Sequence, residues 1–179
     1  IGANRYEGAK VRGGVHAGFL EALYGIWHPN DTGLLKVAQE QNFAGKTLWV
    51  TGHSAGGAIG ALIAMRLAEE NYNVAGAYGF GTPRIADYEF QANYNGLLSG
   101  RVFQYVNRDD PIPHMPSNLV AVGDIFRMTG GPVERLGKDG ADAWDFWNAG
   151  SYGNPSHHMI LDFNGCLLYT SPSPRDATL

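Results

Sequence analysis

Apolar side chains recur at helical spacing over residues 16–27 (HAGFLEALYGIW) and again over 33–43 (GLLKVAQEQNF), where Asp31 or Thr32 is available as an N-cap. The run KTLWVTG, between Gly45 and Gly52, is short, apolar and rich in β-formers, which predicts a buried strand. Residues 55–70 (AGGAIGALIAMRLAEE) contain no proline and are dominated by Ala, Leu and Ile, which predicts a largely buried helix with a polar end at Arg66, Glu69 and Glu70. A second buried strand (VAGAYGFG), a helix within 85–95 and a third strand (RVFQYVN) follow. Weaker signals around DIFRM and PVERL predict short strands that extend the sheet or form a hairpin, and 137–155 reads as loop with an aromatic cluster of Trp144, Phe146, Trp147 and Tyr152. Strands alternating with helices predict an α/β fold: a mostly parallel central sheet flanked by helices on both faces.

The 179 residues suit one domain, expected over 1–165, and no repeat or linker divides it. The 25 glycines are spread along the chain and read as tight turns. A net charge of −4 and the lack of any Lys/Arg run argue against nucleic-acid binding. No apolar stretch is long enough to span a bilayer. Cys166 is the one thiol, so no intrachain disulfide forms, a fact compatible with either a reducing or a secretory compartment. The first residues, Ile-Gly-Ala-Asn, read as a cut rather than a natural start, and 166–179 (CLLYTSPSPRDATL) as a disordered or non-native tail.

The chemistry is concentrated in KTLWVTGHSAGGAIGALIAM, a strand, then Gly52-His53-Ser54-Ala55-Gly56, then a helix. This is G-x-S-x-G in the setting that gives it meaning. A serine on a strand-to-helix turn adopts a strained backbone to present its Oγ, and the flanking positions favour Gly because side chains there meet the adjoining strand and helix. The same turn sets Ser54 at a helix N-terminus, where the Ala55 N–H can receive the oxyanion of a tetrahedral intermediate. His53 leaves the turn in another direction and reads as a packing or supporting residue.

A serine nucleophile needs a base, and the base an orienting acid. Asp110 follows the strand RVFQYVN and directly precedes Pro111-Ile112-Pro113, which holds the chain extended and fixes the carboxylate's direction. Asp109 is its neighbour and rival, and Asp87 a second rival after the earlier strand. For the base, His16 and His28 precede the serine, and His114 is only four residues past Asp110. His157 and His158 lie near the end of the domain, in the chain order Ser, acid, His.

Together these segments resemble the class 3 lipases, the family of the fungal triacylglycerol lipases. Val15-His16-Ala17-Gly18-Phe19 resembles its V-H-x-G-F, and TGHSAGGAIGAL its T-G-H-S-L-G-G-A, with Ala55 in place of the usual Leu. Phe80-Gly81-Thr82-Pro83-Arg84-Ile85 resembles F-G-x-P-R-V. The stretch from Arg101 to Asn107, with Asp110 through Pro116, resembles the segment carrying the family's acid, and Ser156–Phe163 its closing histidine segment. A Met two residues beyond the base would select His157, through Met159; an aromatic five residues beyond it would select His158, through Phe163. The resemblance covers about residues 11–165.

The resemblance implies an α/β-hydrolase fold and a lipid acyl-ester hydrolase acting at a lipid–water interface, through a Ser54–Asp110–His157 triad, with His158 the alternative base. It implies no metal or organic cofactor. Phospholipid or feruloyl ester hydrolysis, acyl transfer, and a non-catalytic lipid-binding scaffold are the alternatives on the same fold. In the family, a strand upstream of V-H-x-G-F supplies the second oxyanion donor, and the lid helix also lies before that motif. The expectation is a domain incomplete at its N-terminus, without its first strand or strands, with residues 1–14 as the return from the lid.

Overall fold

A computed structural model describes residues 3–27, 32–107, 110–128 and 134–137. Two antiparallel strands open the chain, β1 (Ala3–Glu7) and β2 (Arg12–His16), followed by helices α1 (Ala17–Trp27) and α2 (Leu34–Glu40). The main sheet is built from β3 (Leu48–His53), β4 (Val74–Phe80), β5 (Val102–Asn107), β6 (Asp124–Met128) and β7 (Glu134–Gly137), in that spatial order. Neighbours from β3 to β6 are parallel, and β7 closes the described sheet antiparallel to β6, so the weak last segment both extends the sheet and forms a hairpin. Helices α3 (Ala55–Glu69) and α4 (Tyr88–Leu98) make the crossovers between β3, β4 and β5. This is the expected α/β-hydrolase arrangement. Among the described residues no helix is long and apolar enough to cross a membrane.

Alternation along the strands sorts side chains onto two faces. One face presents Val50, Ala77 and Val102 to α3, which lies directly on β3 and β4 and contributes Ala58, Ala61, Leu62 and Met65 to the core. Leu20, Leu23 and Trp27 of α1 and Phe90, Tyr94 and Leu98 of α4 complete that core, with Tyr6, Val11 and Val15 of the β1–β2 hairpin. The other face carries a stacked aromatic ladder, Trp49–Tyr78–Phe103 and Phe80–Tyr105–Phe126, with ring centroids 5.2–6 Å apart. Of the two expected helical layers, the described residues supply the one on the α3 face.

Two local expectations are corrected. Helix α2 starts at Leu34 after Gly33, with no side-chain cap, so Thr32 does not cap it; Asp31 lies outside the described residues. It ends at Glu40, and Phe43–Gly45 is a separate 3₁₀ turn entered through Asn42 at φ 50°. At the polar end of α3, Glu69 is itself buried, 5% exposed. Its Oε1 accepts the backbone N–H groups of Lys10 (2.9 Å) and Val11 (3.0 Å), and its Oε2 accepts the Tyr6 hydroxyl and the Arg66 guanidinium. Burial pushes the carboxyl up, but the Tyr6 hydroxyl, the two backbone N–H groups and the Arg66 charge outweigh it and hold the pKa below the usual carboxylate value. Glu69 thus pins the β1–β2 hairpin to the far end of the helix that begins beside Ser54.

Candidate active site

Ser54 sits between the last residue of β3 and the first of α3, at φ 53° and ψ −128°. A non-glycine residue there is held against its own backbone preference, at a cost on the order of 1–3 kcal/mol. Hydrogen bonds fix it from both sides. Its N–H donates to the Phe80 carbonyl (2.8 Å), and its own carbonyl accepts from Gly57 (2.9 Å) and Ala58 (3.2 Å) in the first turn of α3. A Cβ at Gly52 would run into the Gly56 carbonyl, so the chain can fold back this tightly only with glycine at that position. Because the Ser54 carbonyl takes the Gly57 and Ala58 N–H groups, the N–H groups of Ala55 and Gly56 are the ones with no acceptor inside the helix.

Asp110 is 3% exposed and follows β5. Its N–H donates to the Asn107 carbonyl (3.0 Å), and its Oδ1 accepts the Ile112 N–H (3.0 Å), an Asx-type turn that orients the carboxylate. Gly81 lies against it, at φ +59° with its N–H on the Tyr105 carbonyl (2.9 Å). A Cβ on Gly81 would stand 2.9 Å from Asp110 Oδ2 and 3.7 Å from His53 Nε2. Asp110 and His53 therefore converge over the residue that follows Phe80, whose carbonyl holds Ser54. The serine turn and the carboxylate share one corner at the C-terminal edge of the sheet.

The rivals are accounted for differently. Asp87 caps α4, its Oδ1 accepting from the Phe90 N–H (2.8 Å) and its Oδ2 from the Gly14 N–H (2.7 Å), so it joins the hairpin to the helix. His114 is buried in the short turn Ile112–His114. His16 packs its ring against Phe19 with centroids 4.4 Å apart, and its backbone N–H donates to the Ile85 carbonyl. Asp109, His157 and His158 lie outside the described residues, as does the aromatic cluster of Trp144, Phe146, Trp147 and Tyr152. From sequence, Gly81 stands only within the Phe80-Gly81-Thr82-Pro83-Arg84-Ile85 motif and Glu69 only in a polar helix end, neither with a role of its own. The positive φ at Gly81 had a visible signal, a glycine directly after a strand and two residues before a proline; the burial of Glu69 had none.

Comparison with known proteins places this geometry in context. The family model described as "Lipase (class 3)" matches residues 3–120. The secreted mono- and diacylglycerol lipase 1 of Fusarium solani is 30% identical over 125 residues, which cover 68% of this chain and 36% of that protein. A lipase from Rhizopus microsporus var. chinensis superposes with a TM-score of 0.61 at 25% identity, over 74% of this chain and 48% of that one. The triacylglyceride lipase of Rhizomucor miehei superposes with a TM-score of 0.65 at 23% identity, over 97% of this chain and 64% of that one. The chain thus spans about a third of the length of the Fusarium solani relative.

Proposed function

The chain belongs to the class 3 lipase family, and from that premise we propose that it is the catalytic part of a serine esterase that hydrolyses lipid acyl esters. The observation that carries this reading is Ser54 at φ 53° between a parallel strand and a helix N-terminus, with Asp110 over the adjacent glycine. Ser54 Oγ attacks the ester carbonyl carbon, and its proton passes to the imidazole of His157 or His158. The carbonyl oxygen becomes the oxyanion, and the Ala55 N–H donates to it at the positive end of the α3 dipole. Collapse breaks the bond to the leaving alcohol, which takes the proton from the imidazolium. Water then attacks the acyl-Ser54 ester with the same base, releasing the fatty acid and restoring the serine. Asp110 accepts from the other ring nitrogen and holds the productive tautomer. The scheme needs no metal or organic cofactor.

The fixed direction of the Asp110 carboxylate supports its assignment over Asp87, whose oxygens are taken up in capping α4. The substrate reading follows the family and the mono- and diacylglycerol lipase relative. The test is hydrolysis of emulsified di- and triacylglycerol, phosphatidylcholine and feruloyl esters by the protein and its Ser54→Ala variant. Ser54-dependent release of fatty acid from the glycerides supports the reading. Turnover of phospholipid or feruloyl ester alone shifts the substrate class while keeping the mechanism. Turnover that survives Ser54→Ala rejects the mechanism.

A further inference from the structure

Beneath the serine turn, two side-chain oxygens are buried without a hydrogen-bond partner among the described residues, Thr82 Oγ1 and Gln104 Oε1. Both residues are more than nine-tenths buried, at 7% and 6% exposure. Leaving either acceptor dry costs as much as a lost hydrogen bond, so the pair needs an explanation. The two atoms are aimed at one place. A Cβ on Gly79 would collide with both, and a Cβ on Gly57 would collide with Thr82 Oγ1 and stand 3.1 Å from the Gly52 carbonyl oxygen. Two glycines, Gly57 and Gly79, thus clear a small polar cell under the first turn of α3. Gln104 lines two spaces of about 10 Å³ each, one also lined by Thr82 and the other by Gly52, Gly57 and Gly79. That size admits one water molecule and nothing larger.

We propose that this cell is a built site for a single structural water, and that Thr82 and Gln104 act through it as positioning residues for the Ser54 chemistry. The water accepts from the Thr82 hydroxyl and donates to Gln104 Oε1 and to the Gly52 carbonyl, which gives it the two to four polar partners a buried water requires. It joins three pieces that must keep their spacing. Gly57 lies in the helix turn whose N–H holds the Ser54 carbonyl. Thr82 follows Gly81, against which Asp110 rests. Gln104 lies on the strand that leads to Asp110. The water thereby ties the nucleophile's turn to the acid's loop from below, without touching substrate.

The kinetic part of this proposal rests on Ser54 being the nucleophile; the water itself does not, which keeps the two failures apart. A high-resolution crystal structure of the protein is expected to show one ordered water within hydrogen-bond distance of Thr82 Oγ1 and Gln104 Oε1. Thr82→Val, which keeps the shape and removes the donor, is expected to lose that water and lower kcat about ten-fold with KM unchanged, the effect of one lost hydrogen bond on orientation. Thr82→Ser is expected to restore both. Should Thr82→Val fail to fold, the wild-type density and the Thr82→Ser kinetics carry the test. A direct bond between Thr82 and Gln104, another side chain on either atom, or wild-type kcat in Thr82→Val overturns the proposal. A Ser54 that proves unreactive in a protein that still shows the water removes the kinetic role alone and contradicts the functional reading.

Discussion

A side chain on Gly52 and the carbonyl oxygen of Gly56 would claim the same space. The backbone that raises Ser54 closes so tightly on itself that only a hydrogen fits on its inner wall. Gly52→Ala is therefore expected to force the turn open. Its cost falls on rigid backbone, not on a side chain that can swing away, so activity is expected to fall by at least about 100-fold, as for a comparable displacement of a reacting atom. Steady-state kinetics with a soluble ester, beside a thermal melt, check this; an active Gly52→Ala would mean the turn is looser than described.

Gly81 makes the corresponding demand on the acid. Its φ of +59° is unfavourable for alanine by roughly 1–2 kcal/mol, and the added methyl would press on Asp110 Oδ2. Gly81→Ala is expected to lower the melting temperature by several degrees and to lower kcat more than it raises KM. A variant that loses stability and keeps full kcat would show that the carboxylate does not depend on this contact.

Asp110 and Asp87 are separated by one pair of substitutions. Asp110→Asn keeps the shape of the turn and removes the charge that orients the base, and kcat is expected to fall on the order of 10⁴-fold. Asp87→Ala removes the cap on α4 and the bond to Gly14, so it is expected to cost about 1 kcal/mol or more of stability with kcat nearly unchanged. Chemical denaturation and ester kinetics on both variants decide; the reverse pattern would move the acid to Asp87.

Glu69 predicts a pH dependence whose sign follows from its environment. Its folded pKa lies below the usual 4.5, so its stabilising contribution is fully present above that value and is lost as pH falls through the folded pKa. Glu69→Gln is expected to cost on the order of 2 kcal/mol at neutral pH. The deficit relative to wild type should shrink as both are acidified through the folded pKa, where the wild-type carboxyl takes up its own proton. Urea titrations along that range measure it; a deficit constant with pH would mean the charge contributes nothing.

Much of this was legible before the coordinates because the relevant signals are local. The strand–turn–helix around Ser54 needs only a buried apolar run, two glycines and an Ala-rich helix, and it appears as Leu48–His53 followed by Ala55–Glu69. The Asp-Pro-Ile-Pro segment likewise announced a constrained carboxylate. What sequence did not reveal depends on partners distant in the chain. Glu69 reads only as part of a polar helix end until the 8–11 turn is brought against it, 58 residues away from Val11. The β1–β2 hairpin, with two glycines in β2 and little alternation, carries almost no strand signal of its own and is held by Glu69, Asp87 and the Arg5–Glu89 pair. Asp87 looked like a catalytic rival because a capping carboxylate and a catalytic one are the same residue type after the same kind of strand.

The central claim is that the hydroxyl at position 54 is the activated nucleophile. Its most direct test is to expose the protein to a fluorophosphonate, digest it and locate the adduct by mass spectrometry. The account predicts a single covalent phosphonyl group on Ser54, absent from Ser54→Ala and strongly slowed in Asp110→Asn. An adduct on another serine, or no adduct in a protein that still hydrolyses esters, would contradict it.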